Sequence, residues 1–355
     1  MTTPKELCHA ALRMEETERV PVFVDMEGIA RRAIGVSHTE FCRDGELAAR
    51  GYIAMNELVG DDMIRPYFDV AVESDGFGQP TVYAGDEAPH ADRSWQLIQS
   101  PDDYYKIEPF DVEEAERIKQ TLRMVDVLVA EVGERISLNG EPMDPMVTLG
   151  NMRGMEALLM DCVLHPEAVK HALKIVTDIE IAYAQALVRH GCDVLTNCWD
   201  YGNPSIMSEK LWRAVVGDDY RRFYKAMKET GVYVIAHMCD PHPYIDLGFE
   251  IGYFDAIQSW GMPKGCADWA EFKQKYGSRV CIAGGWSPVR LTEINAAQVK
   301  EESKELIRVL GKGGGLILGP GCEYPYSGPI INCKAMVDAA AEMAAGTTGQ
   351  SEATR

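Results

Sequence analysis

The fold is decided by the stretch SEKLWRAVVGDDYRRFYKAMKETGVYVIAHMC, residues 208–239, which joins a helical pattern to a short apolar run. Apolar residues return every three or four positions over 208–230, as in an amphipathic helix, and Ser208 is a suitable N-cap. The run YVIAHMC at 233–239 predicts a buried strand. A strand that follows a helix in this way belongs to a βαβ unit, which implies a parallel sheet.

The same alternation extends over most of the chain. Further helices are predicted at 113–133, 166–190, 267–276 and 295–311, the last capped by Asn295. Further strands are predicted at VPVFVDM (20–26), ISLNGEP (136–142), CDVLTNCW (192–199), FDAIQSW (254–260), RVCIAGGW (279–286) and GGLILGPGC (314–322). This series fits either an open doubly wound sheet or a closed barrel of the α/β class.

The glycine motifs do not support an open dinucleotide-binding sheet, and the closed (β/α)8 TIM barrel is therefore favoured. No G-x-G-x-x-G follows the first strand, as a dinucleotide-binding open sheet would require. GKGGG at 311–315 precedes a strand, so we interpret it as a loop that ends a helix. The irregular segment at about 28–110 fits an N-terminal helical and loop elaboration over the barrel mouth. We therefore expect a single barrel domain at 1–345 and a flexible tail at 346–355.

Composition excludes several classes of protein. Lys and Arg number 35 against 55 Asp and Glu in 355 residues, and the formal net charge of −20 argues against a nucleic-acid partner. No window reaches about 18 uninterrupted apolar residues, and the charged start lacks the apolar core of a signal peptide. We therefore expect a cytoplasmic protein without a membrane partner. Ten scattered cysteines in a chain of this length indicate reduced thiols.

Three residues that could bind a metal lie at predicted strand ends. His237 and Cys239 end the run YVIAHMC, and side chains at positions i and i+2 of a strand point to the same side. Cys322 ends the run GGLILGPGC, and the carboxyl ends of barrel strands form the active site. One imidazole and two thiolates suit Zn²⁺ and leave a fourth position for water or substrate. From spacing alone a packing role stays open, and His242 is a rival ligand in a proline-flanked turn.

Longer motifs carry a resemblance to a known family. HMCD (237–240), GYFDAIQS (252–259), RVCIAGGWSP (279–288) and GGLILGPGCEYPYSGPIINCKAMVDA (314–339) resemble the uroporphyrinogen decarboxylase superfamily. LRMEETERVPVF (12–23) and the segment 140–169 are also similar to it. Within the superfamily, the chain looks like the zinc- and corrinoid-dependent methyltransferases. The resemblance implies a barrel, a zinc ion held by His237, Cys239 and Cys322, and a corrinoid (cobalamin) supplied by a partner protein.

The decarboxylase itself is an alternative within the superfamily. Its arginine-rich N-terminal signature holds the propionates of its substrate, whereas this chain has DMEGIARR at 25–32. Arg31 and Arg32 are displaced there, and Asp25 and Glu27 make the entrance acidic, which disfavours a highly carboxylated substrate. The decarboxylase also needs no metal, so the His and Cys residues at strand ends would be coincidental.

The resting fourth zinc ligand is open. Some methyltransferases of the branch use a Glu near the sixth strand, where this chain has Gln258, Ser259 and Trp260. Water is expected in that position, ahead of Asp255 and Glu323.

The aromatic and acidic residues at predicted strand ends are candidate substrate contacts. They are Asp25, Trp199, Asp200, Tyr201, Trp260, Trp286 and Tyr324. Because an aromatic wall suits a flat substrate, the favoured function is O-demethylation of a methoxylated aromatic compound, with the methyl group passing to a corrinoid protein. Methyl transfer to a thiol uses the same His and Cys residues and is the alternative; a non-catalytic binding protein is disfavoured. The corrinoid protein would dock transiently at the barrel mouth, and a homodimer stays open.

Overall fold

The computed structural model describes residues 2–199, 201–240 and 242–352. The strands are β1 (Met63–Ile64), β2 (Thr81–Val82), β3 (His90–Ala91), β4 (Ser137–Gly140), β5 (Val194–Cys198), β6 (Tyr233–His237), β7 (Ala256–Ser259), β8 (Cys281–Trp286) and β9 (Leu316–Pro320). The α-helices are α1 (Pro4–Leu12), α2 (His38–Phe41), α3 (Gly45–Val59), α4 (Val72–Gly76), α5 (Glu116–Val132), α6 (Pro145–Arg153), α7 (Met155–Leu164), α8 (Pro166–His190), α9 (Glu209–Val215), α10 (Gly217–Glu229), α11 (Ile245–Ile251), α12 (Trp269–Tyr276), α13 (Arg290–Glu293), α14 (Ala296–Leu310) and α15 (Ile330–Glu352). Two short 3₁₀ helices span Gly28–Ala33 and Pro101–Lys106.

Seven parallel strands form one sheet in the order β1-β4-β5-β6-β7-β8-β9. The extended segment 21–24 lies between the two edges of this sheet. Phe23 N donates to Leu318 O of β9 at 2.9 Å, and Val22 O accepts from Asp62 N, just before β1, at 2.8 Å. The segment therefore acts as an eighth parallel strand that closes the barrel, which confirms the predicted (β/α)8 fold.

The amino-terminal end of the barrel is filled with apolar side chains. Leu12 and Cys8 of α1 pack there against Phe23, Ile235 and Ile317, which point inward from the strands. Thr3 caps α1 through a reciprocal bond pair with Glu6, which fixes where that helix begins. Because α1 covers this end, the carboxyl end of the barrel is left for a ligand site.

Most predicted elements are confirmed, with small shifts at their ends. The predicted helix 166–190 is α8, and Ser208 and Asn295 are the N-caps of α9 and α14. The predicted helix 208–230 is two helices, because Val216 ends α9 and α10 begins at Gly217. Gly311, in the GKGGG segment, caps α14 by donating from its N–H to Ile307 O, as expected of a helix-ending loop.

The N-terminal third differs from prediction in its details. The predicted strand 20–26 makes a single bridge, at Val22, in place of a full ladder. The segment expected as mouth elaboration contains two parts of the barrel wall, α3 and β1, as well as the hairpin of β2 and β3. The flexible tail predicted at 346–355 stays a prediction, since α15 is described to Glu352 and 353–355 lie outside the described residues.

None of the helices in the described residues is long and apolar enough to cross a membrane. None of the cysteines in the described residues forms a disulfide.

Candidate metal centre and active site

The three predicted ligand residues meet at the carboxyl end of the barrel. His237 is the last residue of β6, Cys239 lies two residues beyond it, and Cys322 lies two residues beyond β9. One ligand atom from each lies within 4.8 Å of the other two. Gly321 makes this approach possible, because a Cβ there would lie 2.1 Å from the backbone carbon of Ser259 at the end of β7. The donor set and its spacing suit a tetrahedral zinc ion with one position left for another ligand.

Gln258 of β7 fixes the orientation of the His237 ring. Its Oε1 accepts from His237 Nδ1 at 2.9 Å and from the Arg65 guanidinium at 2.8 Å, while its Nε2 donates to Asp25 Oδ2 at 2.8 Å. The orientation of the amide follows from its partners, since Arg65 offers donors only and the Asp25 side chain presents an oxygen to the amide nitrogen. His237 therefore carries a proton on Nδ1, and Nε2 is the nitrogen available to a metal.

Arg65 is the centre of an ionic cluster that lines the same cavity as the three candidate metal ligands. Its side chain is 2% exposed and ion-pairs with Asp25 at 3.1 Å, Glu27 at 3.2 Å and Glu141 at 2.9 Å. Glu141 also accepts a hydrogen bond from Cys198 Sγ at 3.1 Å. Each of these groups follows the carboxyl end of a barrel strand or of the closing segment, so the barrel itself brings them together.

The thiols and the imidazole perturb one another strongly. The hydrogen bond from Cys322 and the neighbouring His237 lower the pKa of Cys239 to about 4, and a bond from the Trp260 side chain helps. Burial disfavours the charged form of His237, but its bond to Cys239 outweighs burial and raises the pKa of His237 to about 9. The bond to Cys239 and burial raise the pKa of Cys322. At neutral pH the chain alone therefore holds Cys239 as a thiolate, the form that binds a metal cation.

An inner cavity of about 220 Å³ borders the three ligands. Carboxylates dominate its polar lining, and burial raises the pKa of two of them, Glu27 and Glu323, the latter to about 7. Glu323 is held by the Gly28 N–H, which donates to its Oε1 at 3.1 Å.

A larger outer cleft of about 960 Å³ shares Val70 and Cys239 with the inner cavity. Arg93, Met155 and Tyr201 are among the residues that line it. A path therefore leads from the outer surface of the barrel to Cys239.

Some predicted substrate contacts lie close to the ligands. Asp25 is fully buried and bonds to Gln258 and Arg65, and Trp260 bonds to Cys239. Tyr201 lines the outer cleft. Asp200 lies outside the described residues.

The structure does not bring the remaining aromatic residues to the inner cavity. Trp199 is 1% exposed and stacks on Trp212 at a ring separation of 5.3 Å. Trp286 lines a separate cavity with Trp260, and its indole N–H donates to Ser303 at 3.0 Å. Tyr324 is fully buried, and its hydroxyl donates to Pro329 O at 3.0 Å.

The other residues that the sequence offered as possible metal ligands are His242, Asp255 and Glu323, and only Glu323 borders the inner cavity. His242 contacts the carbonyl oxygen of Met262 at 3.1 Å and is not part of the three-ligand group. Asp255 lies just before β7, at the opposite end of that strand from the site, and ion-pairs with Lys228. Glu323 borders the inner cavity, and the identity of the fourth zinc ligand stays a prediction.

Sequence reasoning missed Arg65, Glu141 and Cys198. Glu141 and Cys198 could have been found, because each stands at the end of a predicted strand, as the ligand residues do. Arg65 follows β1, which is two residues long and leaves no recognisable pattern.

Comparisons with known proteins give the family and the fold of the chain. Residues 3–343 match the family described as uroporphyrinogen decarboxylase (URO-D). The chain is 25% identical to the methylcobamide:CoM methyltransferase MtaA of Methanosarcina barkeri, over 93% of this chain and 95% of that protein. It is 24% identical to the methylcobamide:CoM methyltransferase MtbA of Methanosarcina acetivorans, over 95% and 97%. A solved methyltransferase from Methanosarcina mazei has the same fold, with a TM-score of 0.85 at 22% identity over 97% of this chain and 99% of that one.

Proposed function

We propose that this chain, which belongs to the uroporphyrinogen decarboxylase family, is a zinc-dependent methyltransferase that moves a methyl group from a corrinoid protein to a small thiol. The observation that carries the proposal is the meeting of His237, Cys239 and Cys322 within 4.8 Å at the open end of the barrel. The relatives named above transfer methyl groups between methylcobamide and CoM, and coenzyme M is a small thiol.

His237 Nε2 and the two thiolates, Cys239 and Cys322, are the atoms that would hold the zinc ion. Zinc bound there would supply Lewis-acid stabilisation of a substrate thiolate at neutral pH. The chain's own contribution is to keep these donors in place. Gln258 orients His237, and Arg65 and Asp25 in turn orient Gln258.

The overall reaction balances with the thiol as nucleophile. Its sulfur attacks the methyl carbon of methylcobamide, so that a C–S bond forms and the Co–C bond breaks. Both electrons of the broken bond stay on cobalt, which leaves as Co(I), and the thiol proton passes to solvent. The outer cleft, which reaches Cys239, is the route by which the methyl group would arrive, so the corrinoid protein would dock transiently at this end of the barrel.

O-demethylation of a methoxylated aromatic compound, the function favoured from the sequence, has less support than thiol methylation. That preference depended on an aromatic wall, and Trp199, Trp286 and Tyr324 lie apart from the inner cavity. Decarboxylation of a porphyrinogen is disfavoured by the acidic lining. In addition, Arg31 pairs with Asp86 at 3.3 Å, and Arg32 donates to Gly328 O at 2.6 Å.

A spectroscopic assay with free methylcobalamin tests the proposal. The zinc-loaded protein should convert methylcobalamin and 2-mercaptoethanol to cob(I)alamin and the methyl thioether, followed by absorbance and by mass spectrometry of the thioether. The Cys239→Ala variant should lose the activity, whereas Cys198→Ala, a cavity thiol outside the ligand set, should keep at least part of it. Absence of thioether with every small thiol, together with demethylation of a methoxylated aromatic compound, would favour the sequence-based preference instead.

A further inference from the structure

Most of the polar side chains that line the inner cavity are held by other groups of the protein. Arg65 engages two of the carboxylates, Arg117 engages a third, and a backbone N–H donates to a fourth. The carboxylates held in this way are those of Glu27, Glu141, Asp69 and Glu323. A polar side chain that borders the cavity and has no protein partner is therefore a candidate contact for the substrate.

Tyr67 is a side chain of this kind. It borders the cavity and is 8% exposed, and its hydroxyl makes no hydrogen bond within the described part of the chain. Its backbone is fixed separately, because the hydroxyl of Tyr52 donates to Tyr67 O at 2.8 Å. Burial raises the pKa of Tyr67, and so do Glu141 and Glu27, which places the hydroxyl on the side of the cavity that these two residues line. The phenol therefore keeps its proton and can donate a hydrogen bond.

His38 also borders the cavity with an unpartnered atom, but that atom is less accessible. His38 is 2% exposed, and its Nδ1 is closed off from solvent without a hydrogen-bond partner among the described residues. Tyr67 retains more exposed surface than His38, so a ligand in the cavity reaches Tyr67 more readily.

The size of the cavity limits how far a ligand extends from the metal ligands to Tyr67. The volume of about 220 Å³ corresponds to about seven water molecules. Cys239, Cys322 and Tyr67 border this one space, so a thiol of two or three carbons that binds through its sulfur would place its far end against the lining. An oxygen at that end would accept a hydrogen bond from Tyr67, whereas a methyl group would cover the phenol and leave it without a partner.

We propose that Tyr67 binds the second functional group of the acceptor, and that the acceptor is a short thiol with a hydrogen-bond acceptor, such as a hydroxyl oxygen, at its far end. This inference rests on the proposed function and goes beyond it, because it assigns a substrate-binding residue outside the metal ligands. The hydroxyl of Tyr67 has no bond to the protein to lose, so its removal leaves the surrounding structure in place.

A pair of thiols that differ in one group tests the proposal: 2-mercaptoethanol and 1-propanethiol, in which a methyl group replaces the hydroxyl. With zinc-loaded protein and methylcobalamin, we measure the ratio of kcat/KM for the alcohol to kcat/KM for the alkanethiol. This ratio should be lower in Tyr67→Phe than in the wild type by about threefold to tenfold, as for one lost hydrogen bond. Dissociation constants of both thiols, from the visible spectrum of the cobalt(II)-substituted protein, should show the same change. Because each ratio is taken within one variant, differences in the intrinsic reactivity of the thiols cancel.

Two controls separate substrate binding from a structural role of Tyr67. Tyr105→Phe makes the same chemical change at a residue that is 55% exposed, and it should leave the ratio at its wild-type value. The melting temperature of Tyr67→Phe should stay within about 2 °C of the wild type, because the hydroxyl that is removed has no protein partner. A large loss of stability would show that the hydroxyl is a structural group and would overturn the inference.

The outcomes separate the inference from the proposed function. Thioether formation with an unchanged ratio in Tyr67→Phe would overturn the inference and leave thiol methylation intact. A ratio that falls in His38→Gln instead would assign the contact to His38 and overturn it equally. The expected change in dissociation constants without methyl transfer would refute the proposed function and support the inference. If neither thiol binds to the cobalt(II) protein, both are wrong.

Discussion

Gln258 determines which nitrogen of His237 faces the candidate metal site. Its amide is held from two sides, by a donor on Arg65 at 2.8 Å and by an acceptor on Asp25 at 2.8 Å. The oxygen that remains for His237 can only accept, so the ring must donate from Nδ1. A buried arginine and a buried aspartate outside the candidate ligand set thus control the nitrogen that would bind the metal.

Replacing Gln258 by Leu should weaken zinc binding without unfolding the barrel. The ring of His237 would lose the side-chain acceptor that Gln258 offers to Nδ1, and loss of such a partner typically costs about 10-fold to 100-fold in metal affinity. Competition with a chromogenic chelator measures the dissociation constant, and Gln274→Leu, exposed on α12, is the matched control. Equal zinc affinity in Gln258→Leu and the wild type would show that Gln258 does not position the ligand.

The sequence could predict that His237, Cys239 and Cys322 lie together, because the i, i+2 alternation of a strand and the strand-end rule for barrels are local patterns. It could not predict the ionic cluster. Glu141 stands at the end of a predicted strand, but Arg65 follows a strand of only two residues, and Arg65 reaches Gln258 of β7 only when the sheet curves round. The aromatic residues were interpreted as pocket walls, yet Trp199 faces the helical layer, where it stacks on Trp212.

At the scale of elements, closure of the barrel depends on the contact between β9 and the segment 21–24. This segment lies so close to Gly319 that a Cβ there would come within 1.9 Å of Phe23 O. The apolar run at 20–26 could be identified from the sequence as a strand. The single bridge at Val22 and the short β1 could not, because both depend on how the whole sheet closes. By contrast, α8 has enough turns for its periodicity to define both of its ends.

Gly319→Ala should therefore destabilise the protein more than an alanine at an open glycine. The added methyl group collides with backbone, which cannot move aside as a side chain can, and the expected loss is about 3 kcal/mol of unfolding free energy. Gly231→Ala is the comparison, since its φ of +87° costs about 1 kcal/mol while no atom lies within 4 Å of the new Cβ. Urea unfolding of the two variants measures both values. Equal stability would mean that the 21–24 segment is not seated against β9 as described.

At the scale of the whole molecule, two buried carboxyl groups link folding to pH. Burial raises the pKa of Glu73 to about 8, and burial with the nearby Glu73 raises the pKa of Glu180. Glu73 accepts from Met143 N at 3.2 Å and Glu180 accepts from Thr148 at 2.8 Å. Asp144 adds repulsion to Glu180, whereas Arg117 favours ionised Glu73 but is itself paired with Asp69.

Stability should therefore fall as pH rises from about 5 to 8. Because the folded-state pKa of Glu73 is above its unfolded value, the native state binds more protons in this window, so its advantage is lost as pH rises. Glu73→Gln keeps an acceptor for Met143 N. The unfolding free energy of this variant minus that of the wild type, obtained from thermal melts, should increase steadily with pH, by about 3 kcal/mol over this window. Glu229→Gln changes an exposed carboxylate that pairs with Lys225, and it should show no such trend. A constant difference across the window would refute a buried, protonated Glu73.

The central claim is that three strand ends build one zinc site, and metal analysis of protein purified without chelator tests it most directly. We expect about one zinc per wild-type chain, as for a single His-Cys-Cys site, and zinc loss in Cys239→Ala and in Cys322→Ala with an unchanged circular dichroism spectrum. Cys198→Ala, which removes a thiol from the same cavity without removing a ligand, should retain the zinc. Wild-type protein that holds no zinc even after zinc is added back, or ligand variants that retain it, would contradict the account.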